Sequence, residues 1–373
     1  MNLRDRLRGW ISRYLWIWAR LVLARRRPLV IGITGTVGKT TTKEMIAATL
    51  QTREARDVLG VVWYSIANMN DDIGVPLAIL GERAYPSKDL NGLRLALFLP
   101  FRTIAYAFWR PYPDVLVLEL GAGARGNVPA NARRARPGVA IVTTVGPAHL
   151  EHFGTVEEVA RFKAGLVDAV QPDGLVILGA DNPFLELVAG RSSAPVVTVV
   201  GRGPGLSAEV ARALGQHLGV PSEAVERAIA GFGGVAGRQQ ALRFGDVVVI
   251  DDAFNANPLS MRYGLELLAA EREPTRRVAI LGSMGELGAD AERHHAEIAP
   301  FAAESAELLV GVGELARAYL PHHWFASSAE CAEAIDELIR PGDVVLVKGS
   351  HAVGMDRIVD ALGERRSEDA EPT

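Results

Sequence analysis

At 373 residues the chain is long enough for two domains, or for one large domain with additions. Its 49% hydrophobic and 23% charged residues are those of an ordinary soluble globular protein with a sizeable core, and a net charge of −4 excludes a nucleic-acid binder that works through a basic surface. The single cysteine, Cys331, excludes an intrachain disulfide and any cysteine-based metal cluster, and fits a reducing cytoplasm. Lysine is scarce: 40 Lys and Arg include only Lys39, Lys43, Lys88, Lys163 and Lys348, so each lysine is worth tracing.

Residues 1–27 form a distinct block with eight arginines against one acid, Asp5. Leu3, Leu7, Trp10, Tyr14, Trp18 and Leu21 recur at helical spacing and predict an apolar face, with Arg6, Arg13 and Arg20 on the opposite side. The apolar stretch from Trp10 to Ala24 is interrupted by arginines, too short and too charged to span a bilayer. Two compatible readings stand. The helix packs on the apolar segment 93–109, or these two segments make peripheral contact with a membrane.

Leu29-Val30-Ile31 predicts a buried strand, and Gly32-Ile33-Thr34-Gly35-Thr36-Val37-Gly38-Lys39-Thr40-Thr41-Thr42-Lys43-Glu44 follows it into a helical pattern through Met45, Ile46 and Leu50. Strand, glycine loop, Lys-Thr and helix together are the context of a phosphate-binding loop. The glycines let backbone N–H groups turn toward phosphate oxygens, and the helix N-terminus adds partial positive charge. Lys39 can reach the terminal phosphates and the Thr40 hydroxyl can hold Mg²⁺. The first glycine of the generic spacing is absent, since Ile33 stands there. A nucleoside triphosphate is the expected ligand.

Strand-like runs then alternate with helical patterns: Leu29–Ile33, Val115–Leu120, Val139–Thr143, Leu175–Leu178 and Val196–Val200. This alternation predicts a parallel sheet flanked by helices. The second of these runs ends in Glu119, which the chain order places near the phosphate loop, because ligands in such sheets bind beyond the strands' carboxyl ends. His149 stands just past the third run, and Lys163 lies on the following helix. Taken singly, Glu119 reads equally well as a capping or salt-bridged residue, a lone histidine at 149 is more often structural, and Lys163 reads as a lysine snorkelling at a helix edge. The glycine-dense Gly231–Gly237 marks a hinge or domain boundary, after which runs at Val247–Ile250, Val278–Leu281, Leu308–Val312 and Val344–Val347 predict a second α/β unit. The expected layout is therefore an N-terminal helix (1–27), a central P-loop parallel-sheet domain (28–236), a smaller Rossmann-like domain (237–364) and a polar tail (365–373).

The order of these pieces resembles the Mur ligase family. The phosphate loop is followed by Asn68-Met69-Asn70-Asp71-Asp72, Glu119-Leu120-Gly121, Gly146-Pro147-Ala148-His149 and Lys163. The second half adds Gly237-Arg238-Gln239-Gln240, Asp251-Asp252-Ala253-Phe254-Asn255-Ala256-Asn257-Pro258, Gly282-Ser283-Met284-Gly285-Glu286 and Val347-Lys348-Gly349-Ser350. The match runs over roughly residues 29–362 and is strongest to the branch that adds D-alanyl-D-alanine to a UDP-muramoyl tripeptide in peptidoglycan synthesis. The resemblance implies an ATP-dependent amide-bond ligase that works through an acyl phosphate on small-molecule substrates, a carboxylate and an amine, in the cytoplasm. It implies that Gly35, Thr36, Val37, Gly38, Lys39, Thr40 and Thr41 hold the phosphates. Thr40, Glu119, His149 and a carbamylated Lys163 are then the implied ligands of two Mg²⁺ ions. Arg238 is implied at the γ-phosphate; Asp252, Asn255 and Asn257 at the ribose and adenine; Asn70, Lys348, Ser350 and His351 at the substrate. Closure of the second domain is expected to complete the site.

Three departures bear on the substrate. Only residues 1–28 precede the loop's strand, so the family's UDP-gripping N-terminal domain is expected to be missing. His351 stands where the family carries arginine, which lowers the charge there at neutral pH. Thr144 and Gly165 replace the usual asparagine and acidic residue. The same ligase chemistry on a lipid-linked precursor, a folate-like molecule or an amino-acid polymer is the alternative. A membrane-anchored ATP binder without turnover is the reading from another class.

Overall fold

The computed structural model describes residues 3–66, 68–83, 85, 90–122, 126–271 and 275–368. Lys88 and the end of the expected tail, 369–373, lie outside the described residues. The chain divides into two compact units, one of residues 1–145 and 157–232, the other of residues 146–156 and 233–373. Residues 146–156, expected in the central domain, thus belong with the second unit, and the N-terminal block belongs with the first.

The first unit is built on a six-stranded parallel sheet. Its strands are β1 (Leu29–Thr34), β2 (Val62–Tyr64), β3 (Val115–Glu119), β4 (Val139–Val142), β5 (Leu175–Gly179) and β6 (Val196–Val199), ordered β2-β3-β1-β4-β5-β6. Helices cover both faces, so the central strands have no polar side to show, and β3, β4 and β5 are buried at every residue. Ile31, Ile33, Val117, Ile141 and Ile177 meet Ile46, Leu206 and Leu214 of the covering helices in one core. Ile33 of β1 lies opposite Glu119 of β3, so the register sets Glu119 at the strand end beside the glycine loop.

The N-terminal helix α1 (Leu3–Arg26) packs beside the helix Leu90–Phe108, as the intramolecular reading required. Arg26 Nε and Nη2 donate to the Tyr106 and Arg110 carbonyls at 2.6 Å. The face that α1 buries is not the one selected by periodicity. Ser12, Leu15, Trp16, Ala19 and Val22 are buried, whereas Leu7 and Trp10 are 60% and 69% exposed, with Arg6, Arg13 and Arg20 also outward. Apolar residues stand on more than one face of the helix, and two polar bonds accompany the face that is buried. Arg8 Nη2 reaches Asp71 Oδ2 at 2.5 Å, and Ser12 Oγ donates to the Asp72 carbonyl at 2.9 Å.

The second unit carries a six-stranded sheet ordered β11-β10-β9-β12-β8-β7. Its strands are β7 (Gln240–Phe244), β8 (Val247–Asp252), β9 (Arg276–Gly282), β10 (Leu308–Val312), β11 (His323–Phe325) and β12 (Asp343–Lys348). All pair in parallel except β7, which runs antiparallel to β8 through the Gly245 turn. Two hydrophobic layers flank the sheet, one around Val249, Ile280, Val345 and Ile358, the other around Ile250, Leu281, Leu346 and Leu265.

Candidate active site

In the first unit the glycine loop is shaped by two backbone conformations closed to other residues: Gly35 at φ +151° and Gly38 at φ +85°. A side chain at Gly35 would place its Cβ only 1.9 Å from Thr143 Oγ1. That hydroxyl is in use, donating to the Val37 carbonyl at 2.6 Å and so holding the loop against the end of β4. Gly38 caps the helix α2 (Lys39–Leu50) without a side-chain bond, which leaves the helix's positive end to an anion.

Four predicted residues meet around this loop. Lys39 Nζ folds back on the Gly35 and Thr36 carbonyls at 2.8 and 3.3 Å, and Lys163 Nζ donates to the same Gly35 carbonyl at 2.8 Å. Thr40 Oγ1 donates to Glu119 Oε2 at 2.9 Å. Asn70, expected at the substrate, instead donates its Nδ2 to Glu119 Oε1 at 2.8 Å, and the Glu119 N–H is held by Ser65 Oγ at 3.2 Å. Glu119 is thereby fixed from β1's loop, from the β2 side and from the Asn68–Asp72 segment at once.

Lys163 is fully buried. Burial, and then the charge of Lys39, holds its pKa well below the ordinary lysine value, against an opposing pull from Glu119. A lysine in that setting is readily neutral, the form in which an amine attacks CO₂.

The donor set suits Mg²⁺. Thr40 Oγ1 and Glu119 Oε2 are hard oxygens 2.9 Å apart on separate elements. Among the described residues no group of three or more His, Cys, Asp and Glu side chains could hold a metal. An ion here would complete its shell from phosphate and water, as Mg²⁺ commonly does.

In the second unit, His149 sits at φ +56°, and its Nδ1 bonds to Glu286, itself at φ +60°. The His149 bond holds the Glu286 carboxyl below the usual carboxylate range. His149 was expected with the lysine at 163; its Nδ1 is committed to Glu286, a partner quoted in a motif yet not singled out. Lys348 is buried, and its Nζ meets Asp252 Oδ2 at 2.7 Å and the Asn255 carbonyl at 2.9 Å. Burial raises the Asp252 pKa, and the Lys348 and Arg238 charges oppose that rise. The Arg238 guanidinium lies 4.1 Å from the Phe254 ring centroid, and Phe254 stacks with His351 at 5.6 Å. Asn255 is exposed, and the buried Ser350 donates its N–H to the Ser283 carbonyl.

Asn257 Oδ1 accepts from the Ser260 N–H at 2.9 Å, and Ser260 Oγ accepts from the Asn257 N–H at 3.0 Å, a reciprocal cap on the helix Pro258–Ala270. Asn257→Ala is expected to lower stability by about 1 kcal/mol. Urea unfolding checks this; an unchanged midpoint would show that the cap is replaceable.

Sequence reasoning missed Thr143, Ser65 and Glu286. Thr143 carried the one usable signal, a hydroxyl at the end of an apolar strand run beside the glycine loop.

Comparison with known proteins supplies the family. The Mur ligase middle-domain model matches residues 33–85 and 106–217, and the Mur ligase glutamate ligase domain matches residues 237–351. The UDP-N-acetylmuramoyl-tripeptide–D-alanyl-D-alanine ligase of Mycobacterium tuberculosis is 33% identical, over 89% of this chain and 72% of its own length. Among solved structures, the MurF ligase of Thermotoga maritima in complex with ADP superposes with a TM-score of 0.77 at 22% identity, covering 96% of this chain and 85% of that one. E. coli FolC in complex with ADP superposes at 0.67 with 20% identity, covering 96% and 94%. Both structural likenesses speak for the fold alone.

Proposed function

Because the chain belongs to the Mur ligase family, we propose that it joins D-alanyl-D-alanine to a UDP-N-acetylmuramoyl tripeptide, driven by ATP. The carrying observation is the convergence of Lys39, Thr40, Glu119 and Lys163 on one glycine loop. ATP passes its γ-phosphoryl group to the substrate carboxylate and leaves as ADP. The dipeptide amine then attacks the acyl phosphate, phosphate departs, and an amide remains.

Each residue has a part in this. The Lys39 ammonium, folded on its own loop without nucleotide, turns to the phosphates that α2's N-terminus receives. Thr40 and Glu119 would hold one Mg²⁺, with Asn70 and Ser65 fixing the carboxylate. Lys163, neutral through burial, would take up CO₂ and as a carbamate hold the second. Paired Mg²⁺ ions supply neutralisation of the charge gathered in phosphoryl transfer. In the second unit Lys348 acts by position: its bonds to Asp252 and the Asn255 carbonyl set the backbone that presents Asn255.

Phosphate release from Mg²⁺-ATP, measured with UDP-muramoyl tripeptide and with or without D-Ala-D-Ala, tests the reading. Release should require both substrates, and the amide product should be seen by mass. Absence of stimulation from protein that binds ATP would overturn the substrate assignment.

We also infer that α1 and the helix Leu90–Phe108 lie on an anionic membrane surface. Leu7, Trp10 and Ile17 face outward beside Arg6, Arg13 and Arg20, and Phe98, Phe101 and Trp109 face outward on or just after the neighbouring helix. Aromatic and aliphatic side chains flanked by arginine suit the headgroup region. No described helix is long and apolar enough to cross a membrane.

A further inference from the structure

We propose that a groove between α1 and the C-terminal end of the helix Val128–Ala135 binds a phosphate or diphosphate group carried on an apolar body. The groove encloses about 850 Å³, with Ile17, Trp18 and Leu21 on one wall and Arg20, Arg134 and Arg136 among its basic residues. A second hollow of about 290 Å³ shares those three arginines and adds Arg133, so four of its five lining residues are arginine.

Five guanidinium groups, those of Arg20, Arg27, Arg133, Arg134 and Arg136, therefore line the two hollows of a chain whose net charge is −4. Among the described residues none of the five forms an ion pair with a carboxylate. Arg134 lies 5.5 Å from the Trp16 ring centroid, and its charge is also felt by the Asp72 carboxylate, without a direct ion pair. A bland account exists: arginines at helix C-termini offset the helix dipole. Two helix ends meet the groove, at Arg27 and Arg136, and together they supply only about one unit of negative charge. Even with the Asp72 carboxylate acting on Arg134, an excess of positive charge remains for a ligand to meet.

The apolar wall gives the rest of the specification. Ile17 is 63% exposed on the outward face of α1 and also lines the groove, so the anion site opens onto an apolar surface. Trp18 stands on the same wall. Arginine in numbers beside aliphatic and aromatic walls describes a phosphate ester with an apolar or planar substituent. A phospholipid headgroup and a soluble nucleoside diphosphate share that chemistry. The lipid source overlaps the membrane contact inferred above, and the groove's own claim is narrower: its arginines hold the phosphate.

The full chain, with its phosphate loop saturated with ADP, is titrated with inorganic pyrophosphate and UDP by calorimetry, and with phosphatidylglycerol–phosphatidylcholine vesicles by co-sedimentation. Each arginine near an anionic partner contributes about fivefold, so the Arg134→Gln/Arg136→Gln double variant should bind about 25-fold more weakly. ADP affinity and thermal midpoint should be unchanged, which separates loss of the groove from loss of the fold. Binding of the soluble anions in this manner identifies a nucleotide-type ligand, and binding of vesicles alone identifies a lipid headgroup; both support the groove. Wild-type protein that binds no probe overturns it, as does a double variant that binds like wild type. Vesicle binding that persists in the double variant, but is lost in Trp10→Ser/Phe101→Ser, would sink the groove and leave the membrane contact standing. Pyrophosphate binding without any vesicle binding does the reverse.

Discussion

With Lys163 replaced by alanine, kcat should fall about a thousandfold while ATP affinity stays within about threefold of wild type. Metal-assisted charge neutralisation contributes several kcal/mol to a transition state, and each 1.4 kcal/mol is tenfold in rate. ATP affinity survives because its phosphates are held by Lys39 and the amides of the loop, with Lys163 outside that grip. The change also removes a buried amine donor from the Gly35 carbonyl, so a thermal melt must accompany the kinetics. Lys163→Arg separates carbamate chemistry from hydrogen bonding: arginine keeps a long N–H donor and cannot form a carbamate, and it should be as inactive as alanine. Activity retained by Lys163→Arg, or unaffected by removal of dissolved CO₂, would refute the carbamate.

Gly35→Ala is the second large expected effect, and it acts through the backbone. The new Cβ would fall 1.9 Å from Thr143 Oγ1 and 3.2 Å from the Thr144 carbonyl oxygen, at a φ of +151°. Relief requires moving the loop away from β4, which also displaces the carbonyl that holds both Lys39 and Lys163. Strained backbone of this kind costs about 1–3 kcal/mol, and the displaced lysines should weaken ATP binding by at least about tenfold. Adding Thr143→Ala deletes the clashing hydroxyl and should recover part of the stability but not the binding, since φ remains unfavourable and the Val37 anchor is gone. Calorimetric ATP titration of the single and double variants decides it. Full recovery in the double variant would make the clash, rather than the backbone, the cause.

The central strands could be read from sequence because burial on both faces leaves them as uninterrupted apolar runs, as in Val115–Glu119 and Leu175–Gly179. The strands not anticipated are all at sheet edges. Val62–Tyr64 and His323–Phe325 have three residues each, too few for a period to emerge, and Gln240–Phe244 alternates exposed and half-buried positions with the charged Arg243 among them. The loop lysine, Thr40, Glu119 and Lys163 were legible because their chemistry needs fixed order and spacing along a parallel sheet. Asn70 and Thr143 were harder, since each acts by holding another group from a distant segment, 49 and 106 residues away. The rotation of α1 was misread: apolar residues outside the arginine positions offer more than one face, and the two bonds to the Asp71–Asp72 turn, which no periodicity records, accompany the face that is buried.

The burial of the lysines has a spectroscopic consequence. Of the four in the described residues, Lys43, Lys163 and Lys348 are buried and Lys39 is half-buried, so the surface charge of these segments is carried by arginine. Exposed amines on most proteins exchange with dissolved CO₂ and give a broad background of transient carbamates, whereas guanidinium groups stay protonated and unreactive. Lys88 and the α-amino group apart, this chain offers little such background. Equilibration with ¹³C-bicarbonate should therefore yield one sharp, slowly exchanging carbamate resonance from the interior, assignable by its absence in Lys163→Arg without isotopic labelling of the protein.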